Sequence, residues 1–138
     1  MKKVYLSGKW SQRKEMQAHA KQLWHAGYEV VSSWVTEGGD DAWRYGSWRD
    51  AKIALRDLVQ IAQADIFIID TLAPLSAGGG GGRECELGFA LAQFQHMEIW
   101  RVGPVMNPFH SLANEAFEDW NDLETALALD RLFPDTDA

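Results

Sequence analysis

Two glutamates set two residues apart, Glu84 and Glu86, and an upstream aspartate, Asp57, are the side chains best suited to chemistry in this sequence. Glu86 opens a helical pattern in which Leu87, Ala90, Leu91 and Phe94 recur at helix spacing. In a first helical turn, free N–H groups and the helix dipole stabilise negative charge. That favours an ionised Glu86, the form a nucleophile needs. Acidic residues also favour first turns for structural reasons, and Glu84 is the rival; Glu86, beside the Leu87/Ala90 stripe, is expected to point closer to the sheet edge. Asp57 lies four residues after Ile53 and four before Ile61, so it shares a face with apolar side chains. A carboxylate placed there is costly unless it is used or paired. It is either an acid/base group or a rim residue paired with Arg56 or Arg49.

Around these acids stand residues that fit a polar ligand. Tyr5, Ser7, Gly8, Lys9 and Trp10 cluster at the end of the first strand. Trp10 suits stacking on a base and Tyr5 suits a hydrogen bond to a carboxylate; as alternatives, Tyr5 is core and Trp10 a loop plug. Five consecutive glycines, Gly78 to Gly82, precede the helix of Glu86. They match neither the phosphate loop ending Gly-Lys-Ser/Thr nor a spaced dinucleotide fingerprint. They are either a flexible linker or a backbone that a ligand approaches closely. The four histidines, His19, His25, His96 and His110, show no metal spacing; His110 sits in a loop that can reach a ligand, with a structural role as the alternative. Cys85 lies between two glutamates, which disfavours a thiolate.

The elements that must position these groups follow from pattern. Strands are expected at Lys3–Ser7, Tyr28–Trp34, Asp65–Asp70, His96–Val102 and Ala116–Trp120. Helices are expected at Gln12–Ala26, with Met16, Ala20, Leu23 and Trp24 inward, and at Ser47–Ala64, with Ile53, Ala54, Leu58 and Ile61 inward. A last helix is expected after an Asn121 N-cap with Glu124 three residues on, burying Ala126, Leu129 and Phe133. Thr36–Gly46 reads as a mobile loop near a site. Strands alternating with helices imply an α/β fold: a three-layer sandwich around a parallel sheet of about five strands, flavodoxin-like or Rossmann-like, in order 2-1-3-4-5. Ligands in such sheets bind beyond the carboxyl ends of the strands. That rule gathers Ser7 to Trp10, Ala73 to Glu86 (with Gly80, Gly82 and Arg83) and Gly103 to His110 (with Asn107).

With 138 residues, the chain reads as one domain with a full core. A net charge of −7 argues against a nucleic-acid binder, though not against a small nucleotide. The single cysteine excludes an internal disulfide framework and a cysteine-based zinc site. No signal pattern and no apolar run near the ~20 residues of a membrane span is present. A cytoplasmic setting without membrane association is expected.

On these motifs the chain resembles the nucleoside 2-deoxyribosyltransferase superfamily, including its relatives the 2'-deoxynucleoside 5'-phosphate N-hydrolases. The resemblance rests on Tyr5-Leu6-Ser7-Gly8 with Trp10 close behind, on Asp57-Leu58 ahead of Ala64-Asp65-Ile66, on the Gly82 to Ala90 segment with its Glu86-Leu87-Gly88, and on the asparagine-containing loop Gly103 to His110. It spans about residues 3 to 133. It implies Glu86 as nucleophile, Asp57 as acid/base group, Tyr5 orienting the glutamate, Trp10 lining a base pocket and Asn107 contacting the sugar. It also implies a nucleoside or nucleotide as the small-molecule partner, no cofactor, and a homodimer or higher homo-oligomer. Where the transferases carry a sugar-binding carboxylate this chain has Gly78 to Gly82, and Lys9 and Arg83 put positive charge where a 5'-phosphate could lie; Ser7, Ser11 and Ser76 are loose equivalents of the hydrolases' serines. Nucleosides and 5'-monophosphates therefore both remain as substrates. A lysine-decarboxylase-like nucleotide phosphoribohydrolase and a non-catalytic nucleotide sensor are the alternatives; the first usually carries Pro-Gly-Gly-x-Gly-Thr, whose Pro and Thr are missing here.

Overall fold

A computed structural model describes residues 1–36, 48–74, 82–93 and 96–132. The glycines Gly78 to Gly81, Ser76, most of the Thr36–Gly46 loop, Phe94 and Phe133 lie outside the described residues.

The strands are β1 (Lys3–Ser7), β2 (Glu29–Val30), β3 (Ile66–Asp70), β4 (Glu98–Val102) and β5 (Glu115–Phe117). The helices are α1 (Arg13–His25), α2 (Trp48–Gln63), α3 (Gly82–Leu91) and α4 (Trp120–Leu132). The strands form one sheet in the order β2-β1-β3-β4-β5, and every pairing is parallel. Helices α2 and α3 contact each other and β1, and α1 and α4 contact each other. A parallel strand covered on both faces reads as an unbroken apolar run, and all five residues of β3 are buried.

Period-two alternation divides β1 between two tasks. Tyr5 and Ser7 point to the side of α3, whose Glu86 they bond. Val4 and Leu6 take the other face, and all four residues are fully buried. The register sets Tyr5 beside Phe67 and Ser7 beside Ile69, and the Tyr5 and Phe67 rings stack 5.8 Å apart, 2° from parallel. On the opposite face of β3, Asp70 Oδ2 accepts from Trp120 Nε1 of α4 at 2.8 Å.

Several expected boundaries move. β2 is two residues long, not seven: after Val31 N–H donates to Val4 O the chain turns into a 3-10 segment, Ser33–Val35. Side chains then finish the edge, with Ser32 Oγ accepting from Leu6 N–H at 3.0 Å and Trp34 Nε1 donating to Leu6 O at 2.7 Å. A 3-10 turn, Trp10–Gln12, precedes α1. α1 ends at Gly27 (φ +94°), where the Gly27 and Tyr28 N–H groups donate to Trp24 O and Leu23 O, a Schellman end. Asp119, not Asn121, caps α4: its Oδ1 accepts from Asp122 N–H at 2.8 Å. Asn121 lies inside the helix. Of the residues expected inward, Trp24 is 58% exposed and Leu129 51% exposed, and Ala54 is exposed as well. Trp120, Leu123 and Leu127 form the buried side of α4 instead.

Candidate active site

α3 buries Arg83, Leu87 and Ala90, the i, i+4, i+7 stripe of an amphipathic helix. Glu86 lies at the rim of that stripe, four residues before Ala90. Its carboxyl reaches the carboxyl end of β1, where Tyr5 Oη donates to Oε2 and Ser7 Oγ donates to Oε1, each at 2.7 Å. The two strand positions that share this face thus hold both oxygens of one acid.

Burial pushes the Glu86 carboxyl up to about 7, with the charge of Asp57 adding to the rise and the Tyr5 and Ser7 hydrogen bonds opposing it. α3 starts at Gly82, so Glu84 and not Glu86 is the acid of its first turn; Glu86, one turn further in, is governed by desolvation and titrates near neutrality rather than staying ionised as the sequence pattern predicts. Burial likewise raises the Tyr5 phenol, helped by Glu86 and Asp57, so this hydroxyl stays protonated and donates.

Asp57 projects from α2 between half-buried Ile53 and buried Ile61. Burial raises its carboxyl, and Arg56 opposes the rise. Both Arg56 contacts fall on Oδ1, from Nε at 3.2 Å and Nη2 at 2.9 Å. The pairing with Arg56 at the rim is present, and the charge of Asp57 also acts on Glu86 and Tyr5.

Glu84 is occupied differently. His110 Nε2 lies 3.0 Å from each of its oxygens, Asn107 Nδ2 donates at 3.1 Å and Arg83 Nε at 3.2 Å. Partial burial raises its carboxyl, but the hydrogen bonds from Asn107 and His110, with the charge of Arg83, outweigh that and hold it below the ordinary range. An acid with this many donors is a poor nucleophile, which separates it from Glu86.

The remaining expected ligand contacts divide. Gly8 is tightly packed: a Cβ there would lie 3.1 Å from Met16 Cε and 3.2 Å from Gln12 Oε1. Lys9 is only 4% exposed, and its N–H donates to Gln12 Oε1. Trp10 is half-buried, with the Arg13 guanidinium 4.3 Å over its ring and Trp34 tilted against it at 6.4 Å. Gly82 opens α3, and no described residue comes within 4 Å of its Cβ position; Gly80 is outside the described residues. Arg83 turns inward, donating from Nη1 to Asp70 O and Ala73 O, both at 3.1 Å. Asn107 and His110 join Arg83 around Glu84 rather than facing Glu86. The sequence placed these three beside a ligand because the sheet-edge rule gathers their segments; it carries no local signal that they bond one another. Ser7 as second donor to Glu86 follows from its i+2 relation to Tyr5, a signal that was present and unread.

No protein-family model matches the sequence, and no curated protein matches it by sequence. Solved structures match by fold. The 2-deoxyribosyltransferase of Bacillus psychrosaccharolyticus superposes with a TM-score of 0.68 at 23% identity, over 91% of this chain and 95% of that one. A CMP N-glycosidase of Clostridium botulinum gives 0.57 at 20% identity, over 93% and 99%. A 2-deoxyribosyltransferase of Leishmania mexicana gives 0.52 at 17%, over 75% and 66%. With its parallel sheet in the order 2-1-3-4-5, the chain has the nucleoside 2-deoxyribosyltransferase-like fold.

Proposed function

We propose that this protein is an enzyme that cleaves the N-glycosidic bond of (2'-deoxy)nucleosides or their 5'-monophosphates, with Glu86 as the nucleophile. The observation that carries the reading is the Glu86 carboxyl, held on both oxygens by Tyr5 and Ser7 and influenced by the raised carboxyl of Asp57. The neighbours in fold, a deoxyribosyltransferase and a CMP N-glycosidase, support the same chemistry.

An ionised Glu86 oxygen bonds the anomeric carbon as the carbon–nitrogen bond to the base breaks. The bonding pair passes to the base nitrogen, and protonated Asp57 supplies a proton to the base. Asp57, now a carboxylate, takes a proton from water or from a second base as that group attacks the anomeric carbon. The Glu86 ester then breaks and the carboxylate returns. Tyr5 and Ser7 keep Glu86 on one face of the sugar throughout.

The test is chromatographic release of free base from deoxynucleosides and their 5'-monophosphates, with and without an acceptor base. Glu86→Ala is expected to fold and to lose turnover by about a thousandfold or more. Wild-type turnover in that variant refutes the assignment. Thermal stabilisation by nucleosides without base release in the unmodified protein replaces the enzyme with a sensor.

A further inference from the structure

We propose that His110 is a positioning residue: through Glu84 it fixes the first turn of α3 and thereby holds Glu86 between Tyr5 and Ser7. The proposal rests on the reading of Glu86 just given, but its test does not require turnover.

His110 is 1% exposed, and both of its ring nitrogens are used. Nδ1 accepts from Met106 N–H at 3.0 Å. That bond leaves the ring proton on Nε2, which lies 3.0 Å from both Glu84 oxygens. Nε2 also lies 3.2 Å from Asn107 Nδ2, the approach of two donors to one carboxylate. Asn107 is itself fixed, because its Oδ1 accepts from Phe109 N–H at 2.9 Å and His110 N–H at 3.3 Å. Arg101 anchors the loop from β4, with Nη1 2.6 Å from His110 O and Nε 3.0 Å from Gly103 O.

These contacts tie the start of α3 to two strand ends. Arg83 ties it to the end of β3 through Asp70 O and Ala73 O. Glu84 ties it to the loop after β4 through His110 and Asn107. Glu86 follows two residues later, about 200° around the helix and 3 Å along it, facing Tyr5 and Ser7 from β1 and Asp57 with Arg56 from α2. Sliding or rotating this turn by about 1 Å stretches a 2.7 Å contact past hydrogen-bond length. A buried, singly tautomeric histidine is a stiff strut for that turn. Its place in the loop after β4 brings two distant parts of the chain to bear on one carboxyl.

The test uses the full chain with isotope-labelled glutamate, following the Glu86 carboxyl by NMR titration and assigning it by its loss in Glu86→Gln. His110→Asn keeps an acceptor for Met106 N–H but falls short of Glu84. His110→Gln extends an amide donor toward Glu84. Glu84→Ala removes the other half of the contact. The midpoint near 7 is expected to persist in His110→Gln. It is expected to rise by about one unit in His110→Asn and Glu84→Ala, as the loosened turn gives up the Tyr5 and Ser7 hydrogen bonds that hold it down. In the base-release assay the same two variants lose kcat by about tenfold or more at unchanged KM, and His110→Gln restores it. A folded Glu84→Ala that titrates with the wild type overturns the proposal, as does a His110→Gln that moves as far as His110→Asn; Glu84→Ala decides the matter alone if His110→Asn does not fold. A chain that titrates as expected yet releases no base sustains the strut and refutes the enzyme. Base release that depends on Glu86 with an unmoved titration refutes the strut only.

Discussion

Replacing Glu86 by glutamine should make the protein more stable at alkaline pH, by an amount its burial sets. The folded carboxyl takes up its proton at about 7, against an ordinary 4.5. Below pH 4.5 both folded and unfolded chains carry the proton, so burial costs nothing extra. Between 4.5 and 7 the unfolded chain has released it while the folded chain keeps it. The unfolded state then binds fewer protons, so stability falls as pH rises. Above 7 both are ionised and the full cost is present, about 3 kcal/mol. Glutamine carries no charge and escapes it. Its amide must donate to one of the two hydroxyls that donated to the carboxylate, at a cost of about 1 kcal/mol that does not vary with pH. The stability gained by Glu86→Gln should therefore climb by about 3 kcal/mol from pH 4 to pH 8. Urea denaturation of both proteins at pH 4, 6 and 8 measures it. A difference that stays flat across this range would show that burial does not govern this carboxyl, and the electrostatic account of the site would fall.

Other perturbations act on neighbouring contacts. Tyr5→Phe keeps the ring stacked on Phe67 but removes a hydrogen bond that lowers the Glu86 pKa; the acid limb of kcat/KM should move to higher pH and kcat fall about tenfold, and an acid limb moving the other way contradicts this. Asp57→Asn should slow release of natural bases by about a hundredfold or more while sparing the nitrophenolate burst from a p-nitrophenyl 2-deoxyriboside, whose leaving group needs no proton; equal losses on both substrates would remove Asp57 as the acid. Gly103→Ala introduces a Cβ at φ +119°, 2.5 Å from Thr71 Oγ1 and 2.9 Å from Leu72 N. It should cost about 3 kcal/mol in a thermal melt, and a melt within error of the wild type would show that this turn yields freely.

Much of the fold was legible because parallel strands leave a strong trace. The run Ile66 to Ile69 is apolar without interruption, and each crossover helix carries its own period. The boundaries that failed did so where side chains replaced backbone. Tyr28 to Trp34 has strand composition, yet Ser32 and Trp34 bond Leu6 with side-chain atoms. Asn121 and Glu124 make a plausible cap, but Asp119 stands two residues earlier and wins. At the site, Tyr5, Asp57 and Glu86 were readable from spacing and resemblance. The protonation of Glu86 was not, because a helix pattern reports the local dipole and says nothing of how much water the sheet and neighbouring helix exclude. The partnership of Glu84 with His110, 26 residues apart, was equally hidden, since each residue has an ordinary local setting.

The short second strand has a consequence beyond the site. A sheet margin with free amides and carbonyls is a template on which another chain can add a strand. Here the Leu6 groups that would face such a visitor are already taken by Ser32 and Trp34. The Leu6 stretch of the margin, one residue from Tyr5 and Ser7, is therefore closed by its own chain to edge-to-edge pairing.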